Sequence, residues 1–252
     1  MALTDWPQLL LYIHPGLLLI AGAGLLPYTR GWARSALVLL LPLGAVYIVW
    51  KLPTGLGTQW QFLDYTLTFI LADNLSRLFA IAFALLAFAG MLFCCRQIRH
   101  LELMAMLVYA GSALGVVLAG DLITLFLFWE LMVIGSTLVI WSHRTPQAWR
   151  ASLRYLQMQL LGSVLLLIGI AGHIQATGSI GLISLMPDST AGWFILAGVL
   201  INAATWPLSA WLPDALPKSS FSGMVFLSAL TTQTAVYVLL RMFPGTEILI
   251  VL

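Results

Sequence analysis

The chain has 252 residues, of which 61% are hydrophobic and only 8% are charged. A soluble domain carries roughly 25% charged residues, so this composition excludes a soluble globular protein. The formal charge of +2 says little about binding partners. Mostly apolar stretches of about 18 residues or more recur along the chain, and each is long enough to cross about 30 Å of hydrocarbon as a helix. The composition therefore predicts an all-α, polytopic membrane protein.

Eight apolar stretches, joined by short connections, predict about eight transmembrane helices in one bundle. They cover residues 9–28, 34–51, 72–94, 101–119, 121–141, 152–174, 191–213 and 220–242. The chain begins without a basic segment and carries Asp5, so the first stretch is predicted to be a retained span and not a cleaved signal peptide. The longest connection, 52–71, contains Trp60 and Tyr65, which favour a loop resting on the lipid headgroups.

The basic residues predict an orientation. Eight of the eleven Lys and Arg residues follow odd-numbered spans: Arg30, Arg34, Arg96, Arg99, Arg144, Arg150, Arg154 and Lys218. Loops rich in Lys and Arg face the cytoplasm, so this side is predicted to be cytoplasmic and both termini to lie outside. The sequence stops within the apolar run GTEILIVL, as expected of the first part of a longer membrane protein or of a segment that docks against a neighbour.

Glu130 is the clearest candidate for a functional residue, because it lies nine residues into the fifth predicted span. At 1.5 Å per residue this is about 13–14 Å deep, close to the middle of the membrane. An ionisable group at that depth costs about 2.5–3.5 kcal/mol on insertion scales, which favours a functional role such as proton exchange. The alternative is a glutamate that is hydrogen-bonded to neighbouring helices and serves only the packing.

Three other features have simpler interpretations. Asp121 begins the fifth span, where a carboxylate complements a helix N-terminus. Asp73 begins the third span, and Arg77 follows one turn later, which predicts a local ion pair. Gly111 and Gly115 are four residues apart and predict a close contact between helices.

The stretch LINAATWPLSAWLPDALP, residues 200–217, places prolines and polar groups in a membrane span. Asn202 is about eleven residues into the seventh span, near the middle of the membrane. Pro207 lacks a backbone N–H and pushes Trp206 away from helical geometry, so the span is predicted to break around 205–207. Irregular backbone at this depth is tolerated only where protein or water surrounds it, and transporters use such broken helices to expose backbone groups to ions.

Further polar residues fall at similar depths in the neighbouring spans. The eighth span carries Thr231, Thr232, Gln233 and Thr234, and the sixth carries Arg154, Gln157, Gln159 and Ser163 towards the cytoplasmic side. Together with Glu130 and the predicted break, they indicate a hydrated polar line inside the bundle.

These residues also carry a family resemblance. FWEL around Glu130, PLSAWLPDALP around Pro207 and Asp214, FLSALTTQTAVYVLLR, DNLSRLF at 73–79 and the Arg154-Tyr155 pair are similar to the antiporter-like membrane subunits. Such subunits occur in respiratory complex I, in membrane-bound hydrogenases and in Mrp-type cation/proton antiporters. The resemblance runs from about residue 70 to the end of the sequence.

The resemblance implies a fold of about fourteen helices that contains two inverted repeats of five, each with a discontinuous helix. This chain would hold the first eight helices: residues 1–100 as three peripheral helices and residues 101–252 as the first repeat, helices four to eight. The seventh helix would be the discontinuous one, and the residues at its break would be Pro207, Trp211, Pro213 and Asp214.

The resemblance further implies an ion path. This chain differs from the family along that path, because neutral residues stand where the family has basic ones. In the family, the glutamate that corresponds to Glu130 pairs with a lysine whose position is Asn202 here. A lysine or histidine on the eighth helix corresponds to Gln233, and a histidine near the break corresponds to Ser209. Amides orient water but do not carry a proton as lysine does. The predicted path residues are Glu130, Asn202, Gln233, Thr232, Ser209 and Arg154.

Two functions remain open at this point. The first is an antiporter-like subunit, or the N-terminal half of one, that takes part in proton or H⁺/Na⁺ translocation within a multisubunit membrane complex. The alternative is a degenerate, non-conducting subunit that packs partner proteins in the membrane. A membrane-embedded enzyme has little support, because the sequence shows no metal-ligand cluster and no nucleophile–base pairing. Any redox chemistry would belong to partners, as in a proton-pumping NADH:quinone oxidoreductase-like complex.

The expected environment follows from these functions. No metal and no cofactor are expected. The expected partners are other integral membrane subunits, including a chain that supplies the second repeat, together with lipid, H⁺ and Na⁺, and no nucleic acid. The expected location is the bacterial cytoplasmic (inner) membrane.

Overall fold

The apolar stretches fold into helices, several of which begin at a side-chain cap, as at His14, Asp121, Thr145, Ser189 and Ser220. A computed structural model describes residues 13–55, 57–62, 65–94, 99–182, 185 and 189–246. Within these ranges the helices are α1 (Pro15–Leu25), α2 (Trp32–Lys51), α3 (Asn74–Cys94), α4 (His100–Leu118), α5 (Leu122–Trp141), α6 (Pro146–Thr177), α7 (Thr190–Asn202), α8 (Trp211–Ala215) and α9 (Phe221–Met242). The start of the first predicted span (9–12), Arg96 and the apolar segment 247–252 lie outside the described residues.

The helices have the length and composition of a membrane protein. Six of those described, α2 to α6 and α9, are long and apolar enough to cross a bilayer, and two shorter apolar segments, Pro15–Tyr28 and Thr190–Asn202, accompany them. The chain is therefore a mostly helical integral membrane protein, as predicted. Two of the helices differ from the predicted spans: α6 begins at Pro146, six residues early, and α7 ends at Asn202.

The early start of α6 has a local cause. The Thr145 side chain accepts a hydrogen bond from the Ala148 N–H at 3.0 Å, and Pro146 occupies the first helical position, where a missing N–H is harmless. Arg150 therefore belongs to α6 and not to a loop. Asp121 caps α5 as predicted, because its carboxylate accepts from the Thr124 N–H at 2.7 Å.

The connection 52–71 is not a loop throughout, and this part of the prediction was wrong. It folds into an antiparallel hairpin of β1 (Gly57–Phe62) and β2 (Tyr65–Leu71). On β2, Tyr65 is exposed whereas Leu67 and Ile70 are buried, so the later part of the strand packs on α4 and α5. The Asp121 carboxylate also accepts a hydrogen bond from the Thr68 N–H at 2.6 Å, which ties the hairpin to the start of α5.

The core centres on α4, which is buried along most of its length and packs against α1, α3, α5 and α9. Close approach to α1 depends on Gly111, because a Cβ there would lie 2.5 Å from the carbonyl oxygen of Gly16. The predicted helix contact at Gly111 is therefore confirmed. Burial of apolar surface in this core is compatible with a lipid surround because close packing, rather than exclusion from water, holds membrane helices together.

The predicted ion pair between Asp73 and Arg77 was wrong. Asp73 accepts a hydrogen bond from Arg241 Nη1 at 2.7 Å, so its partner lies on α9, whereas Arg77 donates to the carbonyl oxygen of Trp50 at 3.0 Å. Arg77 is one turn away from Asp73 along the chain, but its side chain extends towards α2. Packing of α3 against α9 brings Arg241 to the carboxylate instead.

Candidate functional site

Asn202 is the last residue of α7 and is completely buried against α6. Its amide nitrogen donates to the carbonyl oxygen of Gly198 at 3.0 Å, one turn earlier in the same helix. A Cβ on Gly162 of α6 would lie 2.6 Å from this nitrogen, so the absence of a side chain at Gly162 makes room for Asn202. The two helices therefore meet closely at the depth of Asn202.

Gln159 and Ser163 flank Gly162 on the same face of α6, since residues three and four apart share a helix face. Both side chains are buried, with exposed fractions of 0% and 3%. Neither amide atom of Gln159, nor the Ser163 hydroxyl, nor the Asn202 carbonyl oxygen has a hydrogen-bond partner among the described residues. We refer to Gln159, Ser163 and Asn202 as the amide cluster.

Glu130 lies at the same depth as the amide cluster. The Tyr155 hydroxyl of α6 donates to the Ser136 hydroxyl of α5 at 2.9 Å, which sets the register of these two antiparallel helices. Because both helices rise 1.5 Å per residue, Gln159 lies opposite residue 132 and Ser163 opposite residue 128. Glu130 falls between these two levels.

The surroundings of Glu130 differ from those of the amide cluster. Glu130 lines a groove of about 410 Å³ together with Leu17 of α1, Phe69 of β2, and Leu127 and Leu131 on its own helix. Its Oε1 atom is buried and has no hydrogen-bond partner in the described part of the chain. The side chains of Leu127 and Leu131 are 51% and 36% exposed, so this groove opens to the outer face of the bundle.

A chain of hydroxyl groups crosses the bundle one turn closer to the basic end. The Tyr109 hydroxyl of α4 bonds to the Thr231 hydroxyl of α9, and Thr231 is also within hydrogen-bond reach of Tyr155. Tyr155 in turn donates to Ser136. All four side chains are buried. This chain of hydroxyl groups was not predicted from the sequence, although tyrosines in the middle of apolar helices are a signal that buried hydroxyl groups need partners.

The other predicted path residues lie in different surroundings. Thr232 is half-buried and Gln233 is exposed on the outer face of α9, whereas Thr231 and Thr234 face the core. Ser209 is half-buried in a short 3₁₀ turn, Leu208–Ala210. Arg154 lies at the rim of the bundle, where its Nε and Nη2 atoms donate to Asp214 at 2.7 and 3.0 Å.

The residues around the predicted break have separate roles. Trp211 is buried, its indole N–H donates to the carbonyl oxygen of Ile201 at 3.0 Å, and its ring packs edge-on against Tyr155. Asp214 also pairs with Lys218, whereas Pro207 and Pro213 are exposed. Ala203 to Pro207 lie in turns between α7 and the 3₁₀ turn, so the helix does not continue past Asn202. Carbonyl groups in its last turn therefore accept hydrogen bonds from residues outside the helix, such as Trp211. That α7 and α8 form one interrupted span remains a prediction.

Comparison with known proteins agrees with the helical architecture. Residues 119–251, more than half of the chain, match the family described as NADH:quinone oxidoreductase/Mrp antiporter, transmembrane. The chain is 27% identical over 258 residues to one component of the Na(+)/H(+) antiporter of Alkalihalophilus pseudofirmus, a match that covers 92% of this chain and 32% of that protein.

Solved structures show the same fold. A chain of the Mrp complex from Dietzia sp. DQ12-45-1b superposes with a TM-score of 0.73 at 24% identity, over 92% of this chain and 47% of that chain. A chain of respiratory complex I from Thermus thermophilus gives a TM-score of 0.75 at 22% identity, over 94% and 55% of the two chains. The chain thus spans about a third to a half of these relatives. It belongs to the NADH:quinone oxidoreductase/Mrp antiporter transmembrane family.

Proposed function

We propose that this chain is an antiporter-like subunit, or the N-terminal half of one, and takes part in moving H⁺, or H⁺ in exchange for Na⁺, across the membrane. The observation that carries the proposal is the presence of buried polar atoms without partners at one depth: the Glu130 carboxyl, the Trp129 indole N–H and the amide cluster, counted among the described residues. Buried polar groups are almost always hydrogen-bonded, and water is the usual partner where protein supplies none.

Water at these atoms would give protons a route through the bundle. Among the described residues at this depth, Glu130 is the one whose side chain can take up and release a proton. Water held by the amide cluster and the chain of hydroxyl groups from Tyr109 to Ser136 would extend hydrogen bonds across α4, α5, α6 and α9. In this mechanism Asn202 and Gln159 orient water but carry no charge.

The protein would act within a larger assembly. Its relatives are components of a Na(+)/H(+) antiporter, of an Mrp complex and of respiratory complex I. Exposed apolar side chains on α5 and α6 offer surfaces for neighbouring membrane proteins or lipid. We place the basic end of the bundle in the cytoplasm and both termini outside a bacterial cytoplasmic membrane. A partner chain would supply the second repeat.

The test is the substitution Glu130→Gln in the intact complex, reconstituted in vesicles that contain a pH-sensitive dye. The amide keeps the shape of the side chain but cannot ionise, so we expect proton flux to fall at least about tenfold, within the range attributed to a positioned proton-transfer group. Leu127→Gln is the matched control, because it adds the same amide one turn away on the same exposed face. Unchanged flux in the Glu130 variant would remove this residue from the path.

A non-conducting structural role is the second candidate. It is favoured by one observation: the described residues place no Lys or Arg at the depth of Glu130, so no cationic side chain is available to exchange charge with it. If this role is correct, the Glu130 variant assembles normally and the complex retains its full proton flux.

A further inference from the structure

A groove runs between α4 and α5 at the basic end of the bundle. It has a volume of about 370 Å³, and most of its wall is apolar: Leu101, Met104, Ala105, Val108, Leu138 and Trp141. Leu101 and Val108 are seven residues apart, so the groove extends about 10 Å along α4. Beyond Val108 the two helices come together, because a Cβ on Gly135 would lie 2.8 Å from the Tyr109 Cα. We refer to this feature as the basic-end groove.

Arg144 and Ser142 line the mouth of the basic-end groove, in the turn that follows α5. The Ser142 hydroxyl already donates to the carbonyl oxygen of Val139 at 2.7 Å, and the Arg144 backbone N–H donates to that of Trp141 at 2.9 Å. The exposed guanidinium of Arg144 is therefore the donor that the mouth offers to a ligand. A guanidinium can bind a phosphate group through two parallel N–H···O bonds.

The charges around the mouth favour an anion. Arg99 and Arg150 are exposed at the same end of the bundle. Both acidic side chains described at this end already have partners: Glu102 accepts from a serine hydroxyl at the start of α9, and Asp214 is bound by basic residues of α6 and of the turn before α9. Among the described residues, no carboxylate therefore pairs with Arg144.

Two tryptophans indicate the depth of the mouth in the membrane. The rings of Trp141 and Trp149 contact each other, with centroids 4.9 Å apart, and both side chains are exposed. Exposed tryptophans concentrate at the boundary between lipid headgroups and hydrocarbon. The Arg144 guanidinium thus lies at the level of lipid phosphates, and the apolar wall of the groove extends from there towards the hydrocarbon. A phospholipid presents its phosphate and its acyl chains at these two levels.

We propose that the basic-end groove binds one anionic phospholipid, with its phosphate on the Arg144 guanidinium and an acyl chain between α4 and α5. Basic pockets between transmembrane helices recognise anionic headgroups in this way. An apolar groove alone would also accept a helix of another protein. The guanidinium without a carboxylate partner, at headgroup level, favours the lipid. This inference is independent of the proposed transport function.

The test is native mass spectrometry of the purified intact complex, titrated separately with dioleoyl phosphatidylglycerol and dioleoyl phosphatidylcholine. Val108→Trp fills the groove, and the lipid that this variant loses identifies the site. We expect Arg144→Gln to weaken phosphatidylglycerol binding at this site by about fivefold, as for one basic residue near an anionic headgroup, and to leave phosphatidylcholine binding unchanged. Arg30→Gln is the matched control, because Arg30 is also exposed at the basic end but lies between α1 and α2.

A glycine variant keeps the result decisive if other changes disturb folding. Arg144 has a φ of 58°, a left-handed conformation that glycine adopts without strain, so Arg144→Gly removes the charge and retains the turn. It should weaken phosphatidylglycerol binding as much as Arg144→Gln does. Equal binding of the two lipids by the unmodified complex, or an unchanged preference in both Arg144 variants, would overturn the proposal. Release of a protein subunit by Val108→Trp, with the lipid count unchanged, would show that a partner helix occupies the groove instead.

Discussion

Asp73 links two parts of the chain that are 168 residues apart in sequence. Its carboxylate accepts from the Ser76 N–H at 2.7 Å at the start of α3 and from Arg241 at the end of α9. Partial burial acts to raise the pKa of Asp73, but hydrogen bonds from Ser76 and the charge of Arg241 outweigh it, so the pKa lies below its ordinary value of 3.8. Arg241 is itself held by the Tyr237 hydroxyl at 3.1 Å. The carboxylate thus both caps a helix and joins two helices.

A lowered pKa means that the ionised form of Asp73 stabilises the folded protein. This contribution is present above pH 3.8 and is lost as the pH falls through the folded-state pKa. We predict that Asp73→Asn, which retains a capping side chain, lowers the free energy of unfolding by up to about 1 kcal/mol at pH 7, and that the difference disappears below pH 3.8. Thermal unfolding in detergent across this pH range measures the effect.

The two nearby arginines provide the comparison for this prediction. Arg241→Gln removes the charged partner and should reduce the pH-dependent difference between Asp73 and its Asn variant to the part that the Ser76 hydrogen bonds contribute. Arg77→Gln should preserve it, because Arg77 binds the Trp50 carbonyl group instead. The reverse result would support the ion pair between Asp73 and Arg77 that the sequence spacing predicted. That spacing shows which residues are close along α3 but contains no information on the packing of α3 against α9.

At the scale of elements, α6 and α7 are held together by glycines that let their backbones approach. A Cβ on Gly198 would lie 2.7 Å from the carbonyl oxygen of Gly162 and 2.8 Å from the amide nitrogen of Leu166. Both contacts are to backbone atoms, which cannot move aside as a flexible side chain can. The amide cluster lies directly beside this contact, so its geometry depends on the spacing of the two helices.

We predict that Gly198→Ala destabilises the protein by about 1–3 kcal/mol, the usual consequence of adding a methyl group to a close-packed contact. The matched control is Gly172→Ala in α6, where the nearest atom to a new Cβ is the side-chain carbon of Ala191 at 3.4 Å. That variant should be neutral, because the contact is of ordinary length. The comparison requires unfolding in the same detergent. Equal stability of the two variants would show that α6 and α7 separate readily.

The sequence was informative for elements whose signals are local. The apolar spans, the Asp121 cap and the contact at Gly111 were all predictable from composition and spacing. The hairpin was missed because its strands are short, and the burial of β2 depends on helices that follow later in the chain. The unpartnered state of Gln159 and Asn202 also depends on how two helices meet. Sequence therefore predicts which polar residues lie in the membrane, and packing decides which of them share a site.

At the scale of the whole molecule, the helices of residues 1–100, which were predicted to be peripheral, pack against the helices that follow them. α1 and α3 both pack against α4, and buried side chains of α1 to α6 and α9 form one continuous core. The division into residues 1–100 and 101–252 as peripheral helices and first repeat stays a prediction, and the packing joins the two parts in one core. The hairpin of β1 and β2 lies at one end of this core, and the turn between α5 and α6 lies at the other.

The orientation of the bundle provides the last prediction. Exposed Gln61 on β1 marks one end, and exposed Arg144, in the turn after α5, marks the basic end. With Cys94 and Cys95 replaced by alanine, Gln61→Cys should react with a membrane-impermeant maleimide in intact cells, whereas Arg144→Cys should react only after permeabilisation. The physical reason is that loops rich in Lys and Arg are retained in the cytoplasm during insertion. The opposite labelling pattern would invert the proposed topology and, with it, the side from which protons reach Glu130.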